Sequence, residues 1–251
     1  MEENILLLNQ LFEEAGLPLT EAQSRAFLTV YERLVTENEL MNLTAITEFR
    51  DVVIKHFLDS VLPLTVFPPT DAQSSALPQA AHSCPVSLID VGSGAGFPGL
   101  PLKLLQPTLK LTMLDSLNKR VGYLNRLIGE LALTDAEAVH GRAEEYARTR
   151  REAFDFAAAR AVAHLAVLSE YCLPFVKTGG CFLAYKGGDV ADELREAGRA
   201  IRLLGGETEQ VLHFTLPENA GERSLVVIRK TAPSPKKYPR RAGLPAKEPI
   251  L

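Results

Sequence analysis

The feature that most restricts the fold of this chain is a glycine-rich segment directly after a short apolar run. Residues 88–99 read LIDVGSGAGFPG, with glycines at positions 92, 94, 96 and 99. Glycines at this spacing let the backbone turn tightly and approach a bound molecule closely. The segment therefore predicts a nucleotide-like cofactor at the end of a β-strand. Read from Gly94, the same letters satisfy the dinucleotide pattern G-x-G-x-x-G, so the motif leaves open a nicotinamide dinucleotide or S-adenosylmethionine.

An acidic residue follows at the distance expected for a ribose contact. Nineteen residues beyond Gly96, the apolar run LKLTML ends in Asp115. A carboxylate at the end of a second strand can accept hydrogen bonds from both hydroxyls of an adenosyl ribose. The segment DSLNKR is also a sensible helix start, so capping of that helix is the alternative role, and the two roles are compatible.

Short apolar runs alternate with amphipathic stretches from residue 86 onward. The runs VSLIDV, LKLTMLD, AEAVHG, FDFAAAR and GGCFLAYK have strand character, which predicts a parallel sheet covered by helices. The last runs, ETEQVLHFTL and RSLVVIRK, are separated by too short a loop for a parallel crossover. We therefore predict an α/β, Rossmann-like fold with a seven-stranded, mostly parallel sheet that ends in an antiparallel hairpin.

Composition and periodicity divide the chain into four segments. Residues 1–66 have apolar residues at helical spacing, which predicts an N-terminal helical cap. Residues 67–85 are rich in Pro, Ala, Ser and Gln and are expected to form a linker or surface loop. Residues 86–231 contain the alternating pattern, and residues 232–251 form a basic, Pro-rich tail, expected to be extended if it is ordered.

The overall charge carries no signature of a nucleic-acid partner. The 27 Lys and Arg against 31 Asp and Glu give a formal charge of -4, so such a partner must use a local patch. The three cysteines lack metal-ligand spacing and suit buried thiols in a reducing compartment. The chain shows no signal-peptide pattern and no apolar stretch of about 20 residues, so we expect a cytoplasmic protein without a membrane role.

The motifs, taken in order, resemble one bacterial family. DVGSGAGFPG, LDSLNKR, GRAEE, ARAVA, YKGG and the tail KKYPRRAGLPAKEPI are similar to those of the 16S ribosomal RNA 7-methylguanosine methyltransferases, once called glucose-inhibited division protein B. MNLTAIT at 41–47 and KHFLDS at 55–60 extend the resemblance over nearly the whole chain. The resemblance implies a class I methyltransferase that uses S-adenosylmethionine.

The glycine motif and the resemblance together define the expected cofactor-binding positions. These are Gly92, Gly94, Gly96, Phe97, Asp115, Ser116, Leu117, Ala143, Glu144 and Arg160. The residues alone leave two of them open, because a carboxylate at a helix start is commonly just solvated and Arg160 could equally form a buried salt bridge. The resemblance also places Asn42, Thr44, His56 and Asp59 on the substrate side.

The reaction implied by the resemblance is methyl transfer to N7 of a guanine. That nitrogen carries an in-plane lone pair and no proton at neutral pH, so no general base is required and no catalytic residue is expected. The rate enhancement would come from alignment within a water-excluded pocket. None of the five histidines pairs with a Cys or Ser at a diagnostic spacing, which agrees with this expectation.

An RNA substrate must be held by its phosphates. The candidates for these contacts are Lys119, Arg120, Lys186, Lys236, Lys237, Arg240 and Arg241. We therefore expect deletion of residues 232–251 to abolish RNA methylation and to spare cofactor binding. The expected partner is 16S ribosomal RNA or the small-subunit particle, bound by a monomer. A methyltransferase of small molecules or proteins, and a non-enzymatic nucleotide-binding regulator, are the alternatives.

Overall fold

A single seven-stranded sheet forms the centre of the molecule. The structure is a computed structural model that describes residues 2–66 and 86–251, so the loop predicted at 67–85 lies outside the described residues. The strands are β1 (Ser87–Val91), β2 (Lys110–Asp115), β3 (Ala136–His140), β4 (Phe154–Arg160), β5 (Val176–Gly187), β6 (Gly206–Thr215) and β7 (Glu222–Lys230). Their order is β3-β2-β1-β4-β5-β7-β6. The first five strands are parallel, and β7 runs antiparallel to both β5 and β6, which confirms the predicted sheet.

Helices precede the sheet and connect its parallel strands. The α-helices are α1 (Glu2–Glu14), α2 (Glu21–Met41), α3 (Phe49–Val52), α4 (Asp59–Val61), α5 (Pro63–Val66), α6 (Gly99–Leu105), α7 (Asn118–Glu130), α8 (Ala143–Thr149), α9 (Leu165–Cys172), α10 (Ala191–Leu203) and α11 (Leu244–Lys247). A π-helix spans Val53–Leu58, and short 3-10 helices span Leu173–Phe175 and Pro217–Asn219. Within residues 2–66 and 86–251, no helix combines the length and apolarity required to cross a bilayer.

The central strands are apolar on both faces because helices cover both faces. In β4, Phe156 and Ala158 belong to one hydrophobic core, and Ala157 and Ala159 belong to the core on the opposite face. Successive side chains of a strand point to opposite faces, so the run FDFAAAR supplies both cores at once. This explains why β4 has a run of consecutive apolar residues and not an alternation of apolar and polar residues.

The N-terminal helices share a core with the sheet. The ring of Phe27 lies 5.0 Å from those of both Phe12 and Phe57, and the Phe57 ring lies 5.9 Å from that of Phe97 in the glycine-rich segment. Helix α2 begins at a capping box, in which Thr20 and Gln23 satisfy each other's backbone amides. The aromatic contacts therefore connect the N-terminal helices directly to the segment that follows β1.

The C-terminal tail, residues 232–251, packs against the sheet domain. The Arg151 guanidinium donates hydrogen bonds to the backbone oxygens of Ser234 (2.6 Å), Pro235 (2.9 Å) and Tyr238 (2.7 Å). Apart from the short helix α11, the tail is not helical, as its prolines indicate. The side chain of Ile250 packs against the same core as α9 and α10.

Candidate functional site

The residues predicted to bind a cofactor meet at the carboxyl edge of the sheet. The glycine-rich segment follows β1, Asp115 ends β2, Ala143 follows β3 and Arg160 ends β4. The amide of Gly92 donates to the Leu114 oxygen at 2.8 Å, which holds the first turn against β2. Because the carboxyl ends of parallel strands lie at one edge, side chains far apart in sequence border a common crevice there.

The glycine-rich segment leaves space where a ligand would lie. Gly94 has a φ of +57°, a left-handed conformation that favours glycine. A Cβ at this residue would approach nothing closer than the Gly92 oxygen at 3.9 Å, so packing does not exclude a side chain there. At Gly92, in contrast, a Cβ would lie 2.7 Å from the Cγ2 atom of Val162. Gly94 therefore leaves room for a molecule to lie against the backbone. Gly92, which has no side chain, lets Val162 pack closely just after β4.

The carboxylate of Asp115 is bound to the glycine-rich segment. Its oxygens accept hydrogen bonds from the amides of Gly94 (2.9 Å) and Leu117 (2.8 Å), and the Arg120 guanidinium lies 3.6 Å away. Helix α7 has Leu117 at its N-cap and no side-chain cap, so Asp115 shapes the turn before the helix without capping it. A carboxylate has about four acceptor positions, so two remain for ribose hydroxyls.

Two exposed apolar side chains flank the crevice. Leu117 is 51% exposed and Val162 is 40% exposed, which is high for residues of this size. Leu117 was predicted from the sequence, and Ser116 beside it is also exposed. Val162 was not predicted, since nothing in its local sequence shows that the β4 end abuts Gly92. Exposed apolar groups on both sides of a polar crevice suit a ligand with an apolar ring.

The next predicted positions, Ala143 and Glu144, are buried at the start of α8. Glu144 is only 2% exposed, and its carboxylate accepts a hydrogen bond of 2.8 Å from the amide of Gly243 in the tail. The Arg142 guanidinium is more distant, at 3.5 Å. Solvation of this carboxylate, the alternative weighed for it, is therefore wrong. The contact with Gly243 was not predicted.

The Arg160 guanidinium is directed towards the π-helix. It donates to the Asp59 carboxylate at 2.8 Å and to the Lys55 oxygen at 3.2 Å, and it lies 3.3 Å from Nδ1 of His56. It also lies over the Phe97 ring, with 5.3 Å between Cζ and the ring centroid. The buried salt bridge weighed as an alternative for this residue is therefore present, and it connects the β4 end to the N-terminal helices.

Two titratable groups beside the site have displaced pKa values. Burial, with a further contribution from the Arg160 charge, lowers the pKa of His56 from 6.5 to about 4. The His56 ring stacks on Phe97, with centroids 4.8 Å apart, and its Nε2 lies 2.8 Å from the Thr44 hydroxyl. Burial raises the pKa of Asp90 from 3.8 to about 7, although Gly99 donates to one oxygen at 3.0 Å. The other oxygen, Oδ1, has no hydrogen-bond partner among the described residues.

A cavity of about 570 Å³ opens beside Arg160. Its lining comes from the π-helix, the first residue of α4, the carboxyl ends of β4 and β5, the start of β7, and α10. The lining residues are Lys55, His56, Asp59, Arg160, Ala161, Tyr185, Lys186, Gly187, Glu193 and Arg223. The sequence predicted four of these as site residues, namely His56, Asp59, Arg160 and Lys186. Arg223 was missed because it enters through the β5–β7 pairing, opposite Gly187, where it donates to Asp59 at 3.1 Å.

The proposed phosphate-binding cations occupy different environments. Lys119, Lys236, Lys237 and Arg241 are exposed, and Arg120 is half-buried near Asp115. Lys186 is largely buried and binds Glu193 at 2.5 Å and the Ala163 oxygen at 2.9 Å. Arg240 forms a bidentate ion pair with the buried Glu170, so its guanidinium holds the tail in place.

Comparison with known proteins gives concordant results. A family model described as rRNA small subunit methyltransferase G (GidB) matches residues 23–226. The ribosomal RNA small subunit methyltransferase G of Staphylococcus aureus strain Newman is 48% identical over 240 residues, which is 95% of each chain. The protein of the same name from strain JH9 is 47% identical over the same coverage. Among solved structures, the antibiotic-resistance methyltransferase Kmr aligns with a TM-score of 0.51 and 16% identity, over 61% of this chain and 91% of that chain, which shows a shared fold.

Proposed function

Because the chain belongs to the GidB family, rRNA small subunit methyltransferase G, we propose that it methylates N7 of a guanine in 16S ribosomal RNA. It is an S-adenosylmethionine-dependent rRNA methyltransferase. The observation that supports the proposed site most directly is the crevice at the carboxyl edge of the sheet. There the amide of Gly94 donates a hydrogen bond to the Asp115 carboxylate, and the Cα of Gly94 faces open space.

We assign the cofactor to this crevice. When bound, S-adenosylmethionine supplies a methyl group on a positively charged sulfonium. The free acceptor positions of Asp115 suit the ribose hydroxyls, and the exposed side chain of Leu117 suits the adjoining purine face. Ala143, next along the sheet edge, is placed to border the adenine. Gly92, Gly96 and Phe97 shape the turn that carries Gly94.

The target base is assigned to the cavity beside Arg160. Its volume of about 570 Å³ lies within the range of roughly 300–1,000 Å³ typical of ligand pockets. Guanine presents donors at N1 and N2 and an acceptor at O6. The Lys186 ammonium can donate to O6. Glu193 can accept from the two donors, because its Oε2 has no hydrogen-bond partner within residues 2–66 and 86–251.

No side chain of the site needs to remove a proton. Guanine N7 already has a free lone pair, and His56 is neutral at pH 7 because its pKa is lowered to about 4. The protein's contribution is to hold the base and the cofactor in line and to exclude water, and such orientation contributes up to roughly 7–11 kcal/mol in favourable systems.

The RNA backbone is assigned to the exposed cations around the site. Lys119 lies beside the crevice, and Lys236, Lys237 and Arg241 extend along the tail. Arg240 leaves the set predicted from the sequence because its guanidinium is bound to Glu170. The proposed substrate is 16S ribosomal RNA or the small-subunit particle, methylated in the cytoplasm by a monomer. We keep the proposed division into a helical cap (1–66), a linker (67–85), a methyltransferase domain (86–231) and a tail (232–251).

Nucleoside mapping of small-subunit RNA tests the proposed function. RNA from cells with and without this gene is digested and compared by mass spectrometry, and we expect the loss of one 7-methylguanosine. The wild-type gene should restore it, and an Asp115→Ala gene should not. An unchanged 7-methylguanosine content would contradict the proposal. Saturable binding of NAD in a calorimetric titration would instead favour the dinucleotide alternative for the glycine motif.

A further inference from the structure

The Glu144 carboxylate depends on the tail for its main hydrogen bond. A carboxylate that is 2% exposed requires donors, because burial removes its bonds to water. The Gly243 amide provides one at 2.8 Å. The only other donor among the described residues is Arg142, at 3.5 Å, and its side chain is half-exposed. The bond from Gly243 therefore dominates.

The Gly243 amide is itself held firmly. Arg240, three residues earlier, donates to the 1% exposed Glu170 from Nε (2.9 and 3.0 Å), from Nη2 (2.6 Å) and from its backbone amide (2.7 Å). Nη2 also donates to the Glu248 oxygen at 2.8 Å, which closes the turn around Gly243. Charge-assisted bidentate pairs are the strongest of protein hydrogen bonds, so the turn has a fixed position. Gly243 permits the turn because its φ is +80°.

We propose that the tail completes the cofactor site: the Gly243 amide holds Glu144, and through it the start of α8 that carries Ala143, in the position that binds the adenine. Glu144 is then a positioning residue whose carboxylate faces the tail, while Ala143 borders the ligand. The inference rests on the proposed assignment of the adenine to Ala143. It replaces the expectation that removal of residues 232–251 spares cofactor binding.

The tail consequently has two faces with different roles. Tyr238, Arg240 and Gly243 bind the domain, whereas Lys236 and Lys237 remain exposed. A contact that supports the proposed cofactor site and a candidate surface for RNA phosphates thus occur within one short segment. Linkage requires that, if the tail increases the affinity for the cofactor, the cofactor stabilises the tail to the same extent.

A double-mutant cycle tests the proposal. A chain that ends at Ala242 keeps Arg240 and loses the Gly243 amide, and calorimetry should show about 10-fold weaker S-adenosylmethionine binding, as expected for one bond to a charged group. Glu144→Ala should lose a similar factor. Truncation of the Glu144→Ala chain should then cause no further loss of affinity, because the truncation acts on the proposed cofactor site through the bond to Glu144. Glu145→Ala, an exposed neighbour on α8, is the matched control and should keep wild-type affinity.

Hydrogen exchange gives a second measurement that needs no truncation. S-adenosylmethionine should slow exchange of amides 240–248 in the full-length protein and should have little effect on them in Glu144→Ala. Equal affinity of the full-length and truncated chains, or equal losses on truncation in both backgrounds, would overturn the inference. Unchanged exchange in the tail would do the same. A full-length chain that binds no S-adenosylmethionine would instead contradict the proposed function, so the two failures are distinguishable.

Discussion

The candidate site has two halves, the crevice at Gly94 and Asp115, proposed for the cofactor, and the cavity beside Arg160, proposed for the substrate, and they are built from contacts of very different range. In the cofactor half, Asp115 binds amides at positions 94 and 117, which lie 21 and 2 residues away in sequence. In the substrate half, Asp59 binds Arg160 and Arg223, which lie 101 and 164 residues away. Backbone amides fix the first half, and charged side chains from three distant parts of the chain fix the second.

This difference implies different responses to substitution. Amide donors stay in place when a carboxylate is removed, so changes in the cofactor half should act mainly on ligand affinity. Buried ions lose their partners when one member is removed, so removal of Asp59, which is shared by two arginines of the substrate half, should act mainly on stability. The predictions below test that distinction.

The largest effect is expected for Asp59→Ala. It leaves the guanidiniums of Arg160 and Arg223 without their carboxylate, and removal of one partner from a buried pair costs about 3 kcal/mol or more. Urea denaturation should show this loss of unfolding free energy. Asp51→Ala, which removes a partly exposed pair with Lys55, is the control and should change it by less than about 1 kcal/mol. Equal losses of unfolding free energy in Asp59→Ala and Asp51→Ala would contradict the view that buried charges stabilise the substrate half.

Asp115→Ala should weaken S-adenosylmethionine binding on the order of 100-fold, because two bonds from the ribose to a charged acceptor are lost. The free energy of unfolding should decrease by a smaller amount than in Asp59→Ala, since water can bind the amides of Gly94 and Leu117 once the carboxylate is gone. Calorimetric titration measures the first quantity and urea denaturation the second. Asn118→Ala, an exposed substitution nearby, is the control. Unchanged affinity would assign Asp115 to shaping the turn alone.

The pH dependence of stability should have opposite signs in the two halves. The folded-state pKa of His56 is about 4, below its ordinary 6.5, so its contribution to stability is present above pH 6.5 and is lost as the pH falls towards 4. The folded-state pKa of Asp90 is about 7, above its ordinary 3.8, so its contribution is present below pH 3.8 and is lost as the pH rises towards 7. The two terms oppose each other in the wild type.

Single substitutions should reveal each term. Relative to the wild type, Asp90→Asn should make the free energy of unfolding rise more steeply between about pH 4.5 and 6.5, and His56→Gln should make it rise less or fall. Each change is at most about 1.4 kcal/mol per pH unit. Urea midpoints at several pH values provide the measurement. If the free energy of unfolding depends on pH in the same way in all three proteins, the pKa values of His56 and Asp90 are not displaced as described.

The smallest effect is expected for Glu193→Gln, which places an amide N–H₂ opposite the guanine donors. We expect about a 10-fold lower kcat/KM on ribosomal RNA, from one lost bond to a charged acceptor. RNA with inosine at the target position lacks the N2 donor, so the wild type should discriminate against it and Glu193→Gln should discriminate less. Glu196→Gln on the same helix, bound to His164 at 3.2 Å, is the control. Equal discrimination by all three proteins would remove Glu193 from base recognition.

Much of the fold and of the cofactor half could be predicted because the signals are local. The runs of the central strands were correctly predicted because they are apolar enough to be buried on both faces. The closing hairpin was correctly predicted because its loop is too short for a parallel crossover. The spacing of Gly92, Gly94, Gly96 and Asp115 singled them out as candidates, and the structure brings them together at one edge of the sheet. Glu193 and Arg223 carried no such signal, because a charged residue in a helix start or a terminal strand is ordinarily just exposed.

By itself, the sequence determined the order of strands and helices along the chain, the glycine-rich turn after β1 and the position of Asp115 at the end of β2, since backbone conformation and hydrophobic periodicity are properties of neighbouring residues. Only the tertiary structure decided which charges meet. It paired both Arg160 and Arg223 with Asp59, and it paired Arg240, predicted from the sequence as an RNA contact, with Glu170. Those pairings depend on strand register and helix packing across more than 60 residues, and no local pattern of side chains encodes them.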